Sequence, residues 1–176
     1  CVGAILVPEE GITDYAAVCA ALQQEVEAAG GDIVLGAGVK KLVRESGGWL
    51  VASAVGDFTS RVIVNCAGLH SDRVTAMAGD RPPCRILPFR GEYLRLRPER
   101  EHLVRNLIYP LPEPGFPFLG VHFTRRIGGG VDAGPNAVLA FAREGYTLTS
   151  LNLRDLSEAL AFPGLWRFTL RHRKMV

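Results

Sequence analysis

Apolar positions along this chain change rhythm near residue 80. In the first half, Tyr15, Val18, Leu22 and Val26 recur at helical spacing, with Ala16, Ala17, Ala20 and Ala21 between them. Thr13 is read as the cap of this helix, Asp14 lies in its first turn, and Gly30–Gly31 end it. Ile33–Val34–Leu35 reads as a short buried strand. Val39, Leu42 and Val43 mark another extended piece, closed by Ser46–Gly47–Gly48. Trp49–Ser53 and Phe58–Val64 read as two strands around a Gly56–Asp57 turn. Val62–Ile63–Val64 does not alternate, which suits a strand buried on both faces as in parallel sheets. It enters the small-residue turn Cys66–Ala67–Gly68, where backbone can approach a ligand closely, and a helix capped by Ser71 follows. A tight strand-to-helix turn without a ligand fits this pattern equally well.

Beyond Gly79 and the Pro82–Pro83 break, shorter extended pieces are expected at Ile86–Leu87, Tyr93–Leu96, Leu107–Tyr109 and Phe118–Ile127. Pro88, Pro98, Pro110, Pro112, Pro114 and Pro117 punctuate them. Gly128–Gly129–Gly130 would fold Phe118–Ile127 back onto Val131–Gly134 as a hairpin. Helix returns at Leu153–Leu160 and from Gly164 onward. The expected class is α/β plus α+β. A partial α/β subdomain covers 11–79, an antiparallel subdomain covers 1–10 and 81–140, and a helical segment covers 141–176.

Composition narrows the function classes. The hydrophobic share is 48% and the formal net charge is +2, so a good core is available and nucleic acid is not an expected partner. No run of about 18 apolar residues suggests a membrane span. The opening stretch lacks a basic leader and meets Pro8 early, unlike a signal peptide. Cys1, Cys19, Cys66 and Cys84 show no CxxC spacing, so free, partly buried thiols are expected, with neither metal nor disulfide framework. The chain opens inside what reads as a strand and closes on Leu170–Val176 without a terminating element, as a segment of a longer protein would. The basic residues of that tail are read as a solvated last helical turn.

No dinucleotide fingerprint is present: Gly36–Ala37–Gly38 has Lys41 where a third glycine belongs. Walker, HExxH, GxSxG and zinc spacings are likewise missing from the sequence. The candidate chemistry lies in the second half. In Phe118–Thr124, Leu119, Val121 and Phe123 would share an apolar face, opposite Phe118, Gly120, His122 and Thr124. Gly120 would clear space beside His122, and an imidazole is suited to taking a proton near neutral pH. A half-exposed strand histidine bonded to backbone is the plainer alternative. Arg90 offers a planar fork for a carboxylate beside the permissive Gly91, or else pairs on the surface with Glu92 or Glu99. Tyr93 and Tyr109 could present hydroxyls to a pocket or simply pack. Asn136, in the Gly134–Pro135–Asn136 turn, could bond a ligand or serve only the turn.

Taken together, GITDYAAV, VNCAGLHSDRVTAMAG, RILPFRGEYLRL, LIYPLPEPGFPFLGVHFTR and DAGPNAVLAFAREGY make the chain resemble the L-2-hydroxyglutarate dehydrogenase/oxidase family. That family sits within the flavin-dependent D-amino-acid-oxidase-like superfamily. The resemblance spans nearly the whole chain but lacks the family's N-terminal GxGxxG unit and its C-terminal segment, so it is to a central fragment.

It implies part of an FAD-binding α/β domain joined to an antiparallel-sheet substrate domain. It further implies FAD as cofactor, with Val39 near the adenine end and Cys66, Ala67, Gly68 and Ser71 against the dinucleotide. His122 as base and Arg90, Tyr93 and Tyr109 as substrate contacts are inferences added to that frame. The implied partner is a small 2-hydroxy acid dianion, whose second carboxylate needs a residue outside this chain. The electron acceptor would be oxygen or a quinone. A cytoplasmic enzyme, with room for peripheral association at the inner face of the membrane, is expected. Two alternatives stay open: an FAD-dependent amino-acid or glycine oxidase-like enzyme, and a non-catalytic truncated fragment.

Overall fold

The computed structural model describes residues 2–112, 115 and 118–172. The expected breaks at Pro114 and Pro117 and the end of the basic tail lie outside the described residues. The chain divides into two compact units, Cys1–Ile33 with Gly91–Val138, and Val34–Arg90 with Leu139–Val176.

In the first unit, helix α1 spans Tyr15–Ala28. Its cap is Asp14 rather than the expected Thr13: the Asp14 carboxylate accepts from Ala16 N–H at 2.9 Å and Ala17 N–H at 3.4 Å. At the other end Gly30 takes a left-handed φ of 80°. Gly30 N–H then reaches Glu27 O at 3.0 Å and Gly31 N–H reaches Val26 O at 2.9 Å, closing the last turn as a Schellman motif. No residue of α1 is buried.

The second unit holds an antiparallel meander of β1 (Val39–Glu45), β2 (Gly48–Ser53) and β3 (Asp57–Ser60), in that order. The turns at Ser46–Gly48 and Gly56–Asp57 fall where the glycines predicted them. Two expectations fail here. Ile33–Leu35 and Val62–Val64 form no strand, and Val62 and Val64 are 73% and 80% exposed. A strand buried on both faces needs hydrogen-bonded neighbours, and no described segment pairs with either stretch. A 3₁₀ turn at Gly68–His70 leads into α2, Ser71–Met77. The residue before α2 is His70, so Ser71 is its first helical residue and not its cap.

Strands β4 (Phe89–Arg95), β5 (His122–Arg125) and β6 (Val131–Leu139) form a second sheet in the order β4-β6-β5. The Gly128–Gly130 turn closes the β5–β6 hairpin, which pairs His122 with Gly134 and Arg125 with Val131. The extended expectation shrinks at its edges. Ile86–Leu87 and Val2–Val7 are irregular, and Leu107–Tyr109 contributes only a bridge from Ile108 to Phe123. Prolines flanking these pieces remove the amide donors a ladder needs. Helices α3 (Leu153–Leu160) and α4 (Pro163–Arg171) close the chain, the former capped by the Asn152 side chain on Arg154 and Asp155 N–H.

Each unit keeps a small core of its own: Val104 and Val131 in the first, and Leu42, Ala140, Ala159 and Leu165 in the second. Cys19, Cys66 and Cys84 are free but exposed, not partly buried as expected. Among the described residues, no helix is long and apolar enough to cross a membrane.

Candidate functional site

The turn after the irregular Val62–Val64 stretch is built by one side chain. Asn65 Nδ2 donates to Ser71 O at 2.9 Å and to Thr75 Oγ1 at 3.2 Å, while its Oδ1 accepts Ala67 N–H at 3.2 Å. Asn65 thus bends the backbone over the start of α2, leaving Cys66, Ala67 and Gly68 exposed. Gly68 has φ +52° with open space where a Cβ would stand. Only a residue without a side chain keeps both that conformation and that access. In the same unit Val39 opens β1 opposite Ser53, and the ladder shifts register between Val39 and Lys41. Small, exposed residues over an accessible backbone suit a flat dinucleotide, so the residues present fit the cofactor that the sequence resemblance implies. Val39, Cys66, Ala67, Gly68 and Ser71 all lie within this unit.

Beneath the turn lies a charged network that sequence reading missed. Arg143 is 7% exposed. Its Nη1 donates to Leu69 O at 2.6 Å and to the Asp72 carboxylate, whose other oxygen accepts from Arg143 Nη2 at 2.8 Å. The guanidinium holds the Asp72 carboxyl down at about 2, against burial that would raise it. The backbone amides of Ile86 and Arg73 add to the lowering. Arg73 in turn donates to Asp155 Oδ1 at 2.5 Å and Glu158 Oε2 at 2.7 Å. Burial of Asp155 opposes its ionisation, but the Arg143 N–H at 2.8 Å and the Arg73 guanidinium outweigh it and lower its pKa. Glu158 is lowered chiefly by its bond to Arg73. No local spacing announces these partners, since Arg143 and Asp72 stand 71 residues apart.

In the first unit, the β-sheet lines up a different set. His122 on β5 faces Gly134 on β6. A Cβ on Gly134 would lie 2.6 Å from Tyr93 Cδ1, so the Tyr93 ring of β4 lies against that glycine. Gly91 is crowded the same way by Tyr93 and Pro135. The space beside Gly120, expected to be open for a substrate, is occupied by Pro110, whose Cγ stands 2.7 Å from a Cβ built there.

His122 is buried, not half-exposed, and Tyr109 stacks on it with ring centroids 4.5 Å apart. The anticipated faces are inverted: Leu119 and Val121 are the exposed residues. His122 Nδ1 lies 3.0 Å from Gly120 O. A carbonyl only accepts, so Nδ1 carries a proton, and in the neutral ring Nε2 presents its lone pair. Among the described residues Nε2 has no hydrogen-bond partner. Tyr93 and Tyr109 are both about half exposed. Arg90, in the second unit, donates from Nη1 to Thr147 O at 3.0 Å. Among the described residues no cluster of His, Cys, Asp or Glu could hold a metal ion.

The sequence as a whole has clear relatives. It is 45% identical over 174 residues to an L-2-hydroxyglutarate dehydrogenase of Indibacter alkaliphilus, covering 98% of this chain and 44% of that protein. Against the mitochondrial L-2-hydroxyglutarate dehydrogenase of Nematostella vectensis the identity is 47%, covering 96% of this chain and 40% of the relative. Against the L-2-hydroxyglutarate dehydrogenase of Escherichia coli K12 it is 43%, covering 97% of this chain and 40% of the relative. The chain therefore spans about two fifths of the length of these relatives. The profile of the FAD dependent oxidoreductase family matches residues 1–165. With that match along nearly its whole length, the chain belongs to the FAD dependent oxidoreductase family.

Proposed function

We propose that the full-length protein oxidises L-2-hydroxyglutarate, or a closely similar 2-hydroxy acid, to the 2-oxo acid. The observation that carries this reading is the 40–47% identity to proteins named L-2-hydroxyglutarate dehydrogenase along nearly the whole chain. The reaction removes a hydride from C2 and a proton from the C2 hydroxyl. Bound FAD supplies the hydride acceptor.

His122 takes the hydroxyl proton at Nε2, because Gly120 O pins the other ring nitrogen as a donor. Tyr109, stacked on the imidazole, fixes the plane in which that lone pair points. Arg90 offers a planar fork suited to a substrate carboxylate, and Tyr93 and Tyr109 are candidate hydroxyl donors to substrate. Cys66, Ala67, Gly68, Ser71 and Val39 would hold the dinucleotide. The electrons taken from substrate would pass to oxygen or to a quinone, and a quinone acceptor would bring the protein to the inner face of a membrane.

The test is anaerobic titration of the purified full-length flavoprotein. L-2-hydroxyglutarate should bleach the flavin absorbance, and oxygen or a quinone analogue should restore it. Bleaching by glycine or other amino acids in its place would assign the protein to amine oxidation, and absence of flavin would overturn the reading.

A further inference from the structure

We propose that Arg143 is the positioning residue of the cofactor turn, setting FAD affinity from beneath the backbone that the flavin dinucleotide contacts. This rests on reading Cys66–Ser71 as that turn. Three consecutive-region anchors carry it. Arg143 Nη1 holds Leu69 O at 2.6 Å, and the two terminal nitrogens fork onto Asp72. The next residue, Glu144, lies 3.0 Å from His70 Nε2. Residues 69, 70 and 72 are therefore all gripped by 143 and 144.

The grip comes from one side only. Open space surrounds the position of a Gly68 Cβ, so nothing described braces the turn on its outer face. A loop presented to a ligand by a rigid anchor below it loses little freedom on binding. Arg143 is itself fixed, because its side chain is buried and its N–H is bonded to Asp155 Oδ2 at 2.8 Å. The demand is for a planar fork: one carbonyl and two carboxylate oxygens accept from the same guanidinium. A lysine ammonium keeps the charge but cannot meet that geometry.

The experiment measures FAD dissociation from the full-length protein by flavin fluorescence, with thermal unfolding of the apoprotein alongside. Arg143→Lys should weaken FAD binding by about tenfold or more, the range typical of residues that orient a ligand's direct contacts. Trp166→Phe serves as the comparator, since it removes the Trp166 Nε1–Leu160 O bond between α4 and the end of α3 in the same unit, a bond that involves none of residues 66–72, 143, 144 or 155. It should leave FAD affinity at the wild-type level while lowering the apoprotein midpoint.

Wild-type affinity in Arg143→Lys, or an equal loss in Trp166→Phe, would overturn the proposal. Should Arg143→Lys fail to fold, Glu144→Ala decides, because Glu144 is exposed and removing its carboxylate frees only His70. Weakened FAD binding there supports the positioning role, and unchanged binding overturns it. A wild-type protein that binds no FAD would overturn the cofactor reading and this inference together. Tight wild-type binding with unmoved variants overturns this inference alone.

Discussion

Replacing Asp72 with asparagine should cost the protein several kcal/mol at neutral pH, and the loss should shrink in acid. Asp72 titrates at about 2 in the folded state against an ordinary 3.8, with the Arg143 hydrogen bond as the leading cause. At about 1.4 kcal/mol per pH unit, that difference is worth roughly 2–2.5 kcal/mol of charge-dependent stability. The folded value is the lower one, so this contribution is complete above about pH 4 and disappears as pH falls through about 2. Asp72→Asn also leaves the buried Arg143 guanidinium without its counter-charge, and breaking one side of a buried pair costs about 3–5 kcal/mol in all.

Urea denaturation read by tryptophan fluorescence is the assay. Trp49 and Trp166 both lie in the unit that contains Asp72, so the signal reports the right transition. The wild-type and variant curves should differ by about 3–5 kcal/mol at pH 7 and converge by roughly 2 kcal/mol on approaching pH 2. Asp155 and Glu158 are also held low, so both proteins will lose further stability in acid, and only the difference isolates Asp72. A neutral-pH difference below about 1 kcal/mol, or one that stays constant with pH, would refute the argument.

Other positions give sharp expectations. His122→Ala in the full-length enzyme should lower kcat by about 10²–10⁴ with flavin content unchanged, and near-normal turnover would return His122 to a packed strand histidine. Gly134→Ala forces a methyl to 2.8 Å from Glu92 O, a backbone atom that cannot swing aside, and should destabilise by about 1–3 kcal/mol in chemical denaturation. Asp14→Ala removes the acceptor for two amides at the start of α1 and should cost about 1 kcal/mol, seen as reduced helical circular dichroism on heating.

What the sequence made legible was local. Helical spacing from Tyr15 to Val26, with Gly30–Gly31 after it, predicted α1 because both signals act within a turn or two. The glycine turns placed the β1–β2–β3 meander and the β5–β6 hairpin for the same reason. The strand expectation at Val62–Val64 failed because a buried strand is defined by its neighbours, and its own residues specify only hydrophobicity. Burial of His122 was misread because alternation tells which residues share a face, not which face turns inward. Arg143 escaped notice entirely, since its partners lie in a segment some seventy residues earlier and are joined to it only by folding.

The exposed Val62–Ile63–Val64 stretch carries a consequence for handling the molecule. Its backbone amides and carbonyls are not tied into any ladder, and its side chains are β-branched, uncharged and uninterrupted by proline. That is the composition from which intermolecular cross-β stacks nucleate. Ile33–Val34–Leu35 has the same character. Handled as these 176 residues alone, the chain exposes two short apolar stretches through which copies could pair, and its tendency to self-associate should rise with concentration. A charge placed at Val64, the most exposed residue of the three, would act as a gatekeeper against that self-association.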